Sequence, residues 1–285
     1  MIVNRPRPDI RNGVRRLVAR PIRNFVRRPR ATARWLMRES SYYLGYVPKC
    51  QVRPDWQVRC HPCSLENFKA HRDNEDCRHE LDGLIAFSRP GMIFFDIGAH
   101  YGSLTLAALH YGGPGTQVVA VDPSPAANRI LKINLGLAGV GGRVQIFQAA
   151  IGKEDGWIPM LATGPAGAHF WVGADSSRPD VKVAPQITLP TLAKRAGLLP
   201  SHIKIDVEGF EDEVLQGGQE LLRSTIPVLF LELHVGLLRA WGKKPEAILE
   251  RLREWGYDRI ERHGKPLAPQ EVATAEVLRL VCLAR

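Results

Sequence analysis

The sequence predicts an α/β protein with a parallel sheet and helices on both of its faces. Three observations carry that expectation. Short apolar runs recur along the chain, MIFF (92–95), VVAV (118–121), VQIF (144–147), IKI (203–205) and VLFL (228–231), each followed by a turn signal and a helical pattern. Four acids, Asp96, Asp122, Asp206 and Glu232, fall at the carboxyl ends of these runs, where doubly wound sheets bind ligands. The composition, 45% hydrophobic over 285 residues, is sufficient for a real core.

The charge is uneven. The chain carries a formal +10, yet residues 1–38 alone hold twelve arginines and a single acid, Asp9. The remainder is almost neutral, which argues against a general nucleic-acid binder. Within this arm Ile10, Val14, Leu17, Val18, Ile22, Phe25 and Val26 recur at helical spacing, with Pro21 interrupting the pattern. Two readings stand side by side: a basic amphipathic segment lying on an anionic membrane surface, and a disordered, solvated tail. The arm lacks the apolar stretch and cleavage site of a secretory signal, although an Arg-rich start also fits an organellar transit peptide. No apolar run approaches transmembrane length. Five cysteines, an odd number, suit a reducing compartment, so a cytoplasmic location is expected.

Residues 39–88 form a connecting and helical region. Cys60, His61 and Cys63, followed by Cys77 and His79, suggest half a zinc site, against which structural cysteines are the favoured reading. A helix is expected over 66–88, closed by Pro90-Gly91. From residue 89 the alternating pattern begins, and it is broken once, by an insertion at 150–201 with short strands near 157–161 and 183–189. Loops of that length inside a compact domain are usually functional or mobile. Trp157, Phe170 and Trp171 in the insertion either stack on a ring of an acceptor or cover the sheet.

The first strand end reads F94-F-D-I-G-A-H-Y-G102, and its glycines permit a tight turn and close backbone approach at a helix start. The spacing G-x-x-x-G departs from the G-x-G-x-x-G of dinucleotide binders. Asp122 follows Asp96 by 26 residues, suitable for holding the hydroxyls of a ribose.

The DIGAHYG turn, the AVDPSP strand end and I203-K-I-D-V-E-G-F-E-D-E-V-L-Q-G-G218 together resemble the FkbM family of S-adenosylmethionine-dependent methyltransferases, over roughly residues 85–235. The resemblance implies the class I methyltransferase fold, a Rossmann-like seven-stranded sheet whose last strand is antiparallel. The tail agrees, with Y257-D-R-I-E-R-H-G as strand and turn and V277-L-R-L-V-C-L as the closing strand. It also implies S-adenosylmethionine as cofactor. Asp96, Gly98 and Gly102 would then face the methionine part, Asp122 the ribose, and Gln148 and Ala149 the adenine, with His100 also counted in the cofactor site. Two positions depart from the family pattern: Asp122 stands where Glu is frequent, and His100 where Asn is frequent.

The activated methyl group needs an aligned acceptor, and an alcohol acceptor must also lose a proton. Lys204, Asp206 and Glu208 share a face by the period-two rule, and Glu232 and His234 share another. Asp206 is the first candidate for positioning or deprotonating the acceptor, His234 the second, and Glu208 completes the catalytic set. A divalent cation held by Asp206, Glu208, Glu232 and His234 is a competing use of the same residues, and no metal is assigned. The reading is an O-methyltransferase acting on a sugar, glycolipid or other small-molecule or glycan acceptor. Two alternatives are a non-catalytic module recruited to a membrane and an NAD(P)-dependent enzyme. Methylation of DNA bases is disfavoured, because D206-V-E-G offers no Pro-Pro turn for a flipped base.

Overall fold

The computed structural model describes residues 29–162, 168–170 and 181–284. The amphipathic pattern at 10–26 and Trp171 lie outside the described residues, as does the side chain of Phe170. Helix α1 (Pro29–Tyr43) leads into the hairpin β1 (Lys49–Arg53) and β2 (Trp56–Arg59). The helix expected over 66–88 is two helices, α2 (Leu65–Asp73) and α3 (Glu75–Phe87). They separate at Asn74, whose extended backbone ends the first while its side chain accepts a hydrogen bond from the Cys77 N–H and caps the second.

The alternating body follows: β3 (Ile93–Ile97), α4 (Ser103–Tyr111), β4 (Gln117–Val121), α5 (Pro125–Ala138) and β5 (Val144–Phe147). Local chemistry sets the boundaries. Ser124 caps α5, Pro125 opens it, and left-handed Gly139 closes it. The insertion holds β6 (Ala150–Ile151), β7 (Gly156–Ala162), β8 (Ala168–Phe170) and β9 (Val181–Ile187), which form a separate four-stranded sheet in the order β6-β9-β7-β8. Both short strands expected there are present as β7 and β9. Helix α6 (Leu189–Ala196) leads back to β10 (His202–Ile205), α7 (Glu211–Thr225), β11 (Val228–Leu233), α8 (Val235–Ala240) and α9 (Pro245–Glu254). The tail is β12 (Arg259–Arg262), β13 (Lys265–Pro266), α10 (Pro269–Thr274) and β14 (Leu278–Leu283).

The main sheet has the order β13-β12-β14-β11-β10-β3-β4-β5. Strands β10, β11, β3, β4 and β5 run parallel, and the last strand, β14, inserts antiparallel between β11 and β12. This is the class I methyltransferase sheet that the resemblance implies, with one correction. It has eight strands and not seven, because Lys265 and Pro266 turn back and pair with Glu261 and Arg262. A two-residue edge strand carries no hydrophobic run, so nothing in the sequence marks it.

The strands are apolar throughout because both faces are covered. Phe95 and Ile97 of β3 enter one core with Val119, Ile203 and Ile205, while Phe94 enters the other with Val118, Phe68, Leu81 and Trp56. Hairpin β1–β2 and helices α2–α3 therefore share a core with the sheet. Helix α1 is tied down by the Glu39–Arg129 ion pair, beside His61 and Cys63.

That contact bears on the zinc reading. Among the described residues, Cys60, Cys63, Cys77 and His79 do not gather. Cys60 is buried in the core, and His79 stacks on His263. The group that forms in this region is Glu39, His61 and Cys63; of the four residues in the competing cation reading, Asp206, Glu232 and His234 also gather, at the strand ends. His61 Nδ1 accepts from the Cys63 N–H, and burial holds its pKa down at about 3. Its lone proton therefore sits on Nε2, 3.6 Å from Glu39 Oε1, whose charge Arg129 already meets.

The tightest approach in the fold is at Gly98, with φ +83°, where a Cβ would lie 1.8 Å from the Asp206 carbonyl oxygen. Gly98→Ala should therefore cost roughly 3 kcal/mol or more, from left-handed strain and overpacking together. Urea unfolding of the two proteins measures this, and equal midpoints would contradict it.

Candidate active site

Strand β3 pairs with β4 on one side and β10 on the other, so the chain order reverses beside it. The carboxyl ends of these strands leave a crevice there. The Gly98 and Ala99 N–H groups donate to the Val121 carbonyl, and the Asp206 N–H donates to the Ile97 carbonyl. These bonds stitch three strand ends into one rim. A cavity of about 420 Å³ opens above it, within the range of small-molecule sites.

Of the residues singled out in the sequence, Asp96, Gly98, His100, Asp122, Ala149, Lys204, Asp206, Glu208 and Glu232 line this cavity, as does Cys77 from the zinc reading. Gly102, Gln148 and His234 do not. Gly102 instead packs against Leu131 of α5, where a Cβ would meet the Leu131 side chain at 2.2 Å. Gln148 is exposed to solvent. His234 sits behind the wall as the residue that opens α8.

Asp96 is almost fully buried. Its Oδ2 accepts from Thr105 Oγ1 at 2.5 Å, and its Oδ1 has no hydrogen-bond partner. Asp122 is held by backbone: Oδ2 accepts from the His100 N–H at 3.0 Å and Oδ1 from the Ser124 N–H at 2.7 Å. Burial pushes its pKa up to about 7 against those bonds. His100 has φ +48° and is held neutral by burial, which lowers its pKa to about 4. Its Nδ1 lies 3.4 Å from Asn67 Nδ2 of α2.

At the other end, Lys204 Nζ meets Asp206 Oδ2 at 2.8 Å. Burial works against the Asp206 carboxylate, but the ammonium beside it wins and keeps its pKa below the usual range. Strand β10 ends at Ile205, so strand alternation does not extend to Glu208, which nevertheless lines the same cavity as Lys204 and Asp206. Glu208 adopts a left-handed backbone at φ +55°, and its carboxylate lies 3.6 Å from His234 Nε2. Glu232 Oε1 accepts from Arg279 Nη2 at 2.6 Å. Even so, its pKa is pushed up to about 8, first by burial and then by the charges of Asp206 and Glu80, which together outweigh the arginine.

His234 also departs from its expected part. Burial disfavours its charge, but Nδ1 bonds Glu211 Oε1 at 2.8 Å and three acids surround it, so its pKa rises to about 9. At neutral pH the ring is a buried cation that steadies acids and has no free site for another proton.

Sequence reasoning missed five polar wall residues: Asn67, His71, Glu80, Ser103 and Arg279. Only Ser103 carried a signal, as the residue opening the helix after the glycine turn. The others come from α2, α3 and β14, whose position over the crevice is a matter of tertiary packing. With them the wall holds six carboxyl groups, Glu80, Asp96, Asp122, Asp206, Glu208 and Glu232, against two permanent cations, Lys204 and Arg279. A ligand that brings positive charge, with hydroxyls for Asp122, fits this imbalance.

A strand-end cavity at the point where the strand order reverses, on this sheet, is the arrangement of the class I methyltransferase fold. Residues 96–259, more than half of the chain, match the methyltransferase FkbM domain. The chain belongs to the FkbM methyltransferase family. No curated protein matches the chain. Among solved structures, it is similar to an FkbM methyltransferase from Methylobacillus flagellatus KT, at 12% identity and a TM-score of 0.45. That likeness covers 78% of this chain and 54% of the other, so the chain spans about half the length of that relative. A putative rRNA-methylase from Clostridium thermocellum has 10% identity and a TM-score of 0.47, covering 73% of this chain and 94% of that one. P. horikoshii TYW2, in complex with MeSAdo, has 12% identity and a TM-score of 0.40, covering 83% and 69%. Among the described residues no helix is long and apolar enough to cross a membrane.

The His234 charge has a consequence for stability. Its folded pKa of about 9 lies above the ordinary 6.5. Its contribution is therefore fully present below pH 6.5 and lost as pH rises through about 9. The stability difference between wild type and His234→Gln should be roughly 3 kcal/mol near pH 6 and shrink toward zero above pH 9. Denaturant midpoints across that range measure it, and a difference that stays constant with pH would refute it.

Proposed function

We propose that this methyltransferase uses S-adenosylmethionine to methylate a hydroxyl on a sugar, glycolipid or other small-molecule acceptor. The observation that carries the reading is the excess of buried carboxyl groups in one cavity beside the Gly98 turn. The cofactor is cationic at its sulfonium and its ammonium, and it carries two ribose hydroxyls. Asp122, locked by two backbone N–H donors, keeps lone pairs for those hydroxyls. Asp96 Oδ1, buried without a partner, is placed to accept from the ammonium. Ala149, Ala150 and Ile151 give the apolar wall that an adenine needs. When bound, the cofactor supplies a methyl group already activated for displacement.

The remaining groups serve the acceptor. Asp206, kept ionised by Lys204, accepts a hydrogen bond from the acceptor hydroxyl and fixes its direction. Glu232, on the same wall, is the better proton acceptor, because a carboxyl pushed up to about pKa 8 binds a proton far more firmly than Asp206 does. Glu80, Arg279 and Asn67 add polar partners, which suits a hydroxyl-rich acceptor. Trp157 is 73% exposed and lies off the cavity wall, so ring stacking by that residue has no geometric support.

Three outcomes are expected. S-adenosylhomocysteine should bind in calorimetry where NAD gives no heat, and Asp122→Ala should weaken it about tenfold or more. The reverse preference would sink the cofactor assignment. Asp206→Asn should lower transfer of a labelled methyl group about a hundredfold while leaving S-adenosylhomocysteine affinity within about threefold. The rate should rise with pH through an apparent pKa near 8, and Glu232→Gln should abolish that limb. A pH profile unchanged in Glu232→Gln would remove Glu232 from the proton transfer.

A further inference from the structure

His71 stands outside the segment that matches the family, on α2, yet it faces the cofactor cavity. Its Nδ1 lies 3.1 Å from the carbonyl oxygen of Cys77 and its Nε2 lies 3.1 Å from Ser103 Oγ. A carbonyl only accepts, so Nδ1 carries the ring hydrogen. The ring is 5% exposed, and burial lowers its pKa to about 4, so it holds no second proton. Nε2 is thus a bare acceptor, and the Ser103 hydroxyl donates to it.

A serine hydroxyl has one hydrogen and two lone pairs. With the hydrogen committed to His71, Ser103 presents only lone pairs to other partners. Ser103 opens α4, and two residues further on Thr105 occupies Asp96 Oδ2. The other oxygen, Asp96 Oδ1, is buried without a partner in the same cavity wall as Ser103 and His71. An ammonium group, with three hydrogens and no lone pair, is the complement of two such acceptors.

We propose that His71 is a positioning residue which fixes the Ser103 hydroxyl as an acceptor, so that Ser103 Oγ and Asp96 Oδ1 together receive the amino group of the cofactor's amino-acid part. This rests on the S-adenosylmethionine reading above. It means that the helix pair α2–α3, outside the matched family segment, completes the cofactor site as well as covering the sheet. Selectivity follows: the site distinguishes a nucleoside that carries an amino acid from one that does not.

Calorimetry with two probes tests this, S-adenosylhomocysteine and 5′-methylthioadenosine, which keeps the nucleoside and thioether but lacks the amino acid. Ser103→Ala and His71→Ala should each weaken S-adenosylhomocysteine about tenfold, the size of one charge-assisted hydrogen bond. Binding of 5′-methylthioadenosine should stay within about twofold of wild type, which also reports that the variant is folded. His71→Gln, whose side-chain oxygen can take the hydroxyl hydrogen, should restore S-adenosylhomocysteine binding to within about threefold. Unchanged S-adenosylhomocysteine affinity in Ser103→Ala overturns the proposal. An equal loss of both probes also overturns it, since that is what a merely structural role would give. Failure of the wild-type protein to bind either probe is a different result and removes the cofactor reading itself.

Discussion

One buried cation governs the site. Lys204 lies in the middle strand of the sheet, 6% exposed, with Asp206 at 2.8 Å and the charges of Glu80, Asp96 and Glu232 around it. Burial alone would strip its proton; the four acids reverse that and hold it charged. The converse matters more. Four carboxyl groups cannot be drawn into one apolar scaffold without a counter-charge, and a lone buried carboxylate would simply protonate. Lys204 serves Asp206 first, and Asp206 is accordingly the acid whose pKa falls while those of Glu80, Asp96 and Glu232 rise. A single lysine thereby sorts the strand-end acids into one held ionised and others poised to take a proton or a cationic partner.

The backbone makes that sorting possible. The Asp206 carbonyl passes so close to Gly98 that no side chain fits between them. The acidic end of β10 and the glycine turn after β3 are thus one rigid rim, and the carboxylates of Asp96, Asp122 and Asp206 are fixed relative to one another before any ligand arrives. His234 and Arg279 extend the same logic outward. Each is a cation held by acids from other elements, Glu211 and Glu232 respectively, and each stiffens the wall from behind.

How much of this was legible depends on the range of the interaction. The sheet could be read because apolar runs with strand-end acids are local patterns, and Asp96, Asp122 and Asp206 all reach the cavity. The break at Asn74 was readable in principle, as an Asn followed by Glu-Asp before an apolar pattern, but the expected helix ran through it. The eighth strand was not readable, since two residues carry no period. The state of His234 was not readable either. Its charge is set by Glu211, 23 residues earlier on another element, and a histidine two places beyond a strand-end acid looks the same whether it is neutral or cationic. Glu208 misled for a third reason. Alternation describes it only if the strand continues, but β10 ends at Ile205 and Glu208 takes a positive φ beyond it.

The N-terminal half of the cavity shows why a family-defining segment is smaller than a working site. The segment 96–259 supplies Asp96, Asp122, Asp206 and Glu232, the acids at the strand ends of the cavity. Asn67, His71 and Glu80 come from before it and Arg279 from after it. They lie on elements that share the core with the sheet, through Phe68 and Leu81 on one side and Leu280 and Cys282 on the other. Packing that buries these apolar residues therefore fixes the polar ones along the same helices and strand. The polar residues on these elements can change while the sheet keeps its core, because only the apolar partners hold the elements down. The polar wall outside the matched segment is thus carried by α2, α3 and β14, the parts of the chain with the least recognisable sequence.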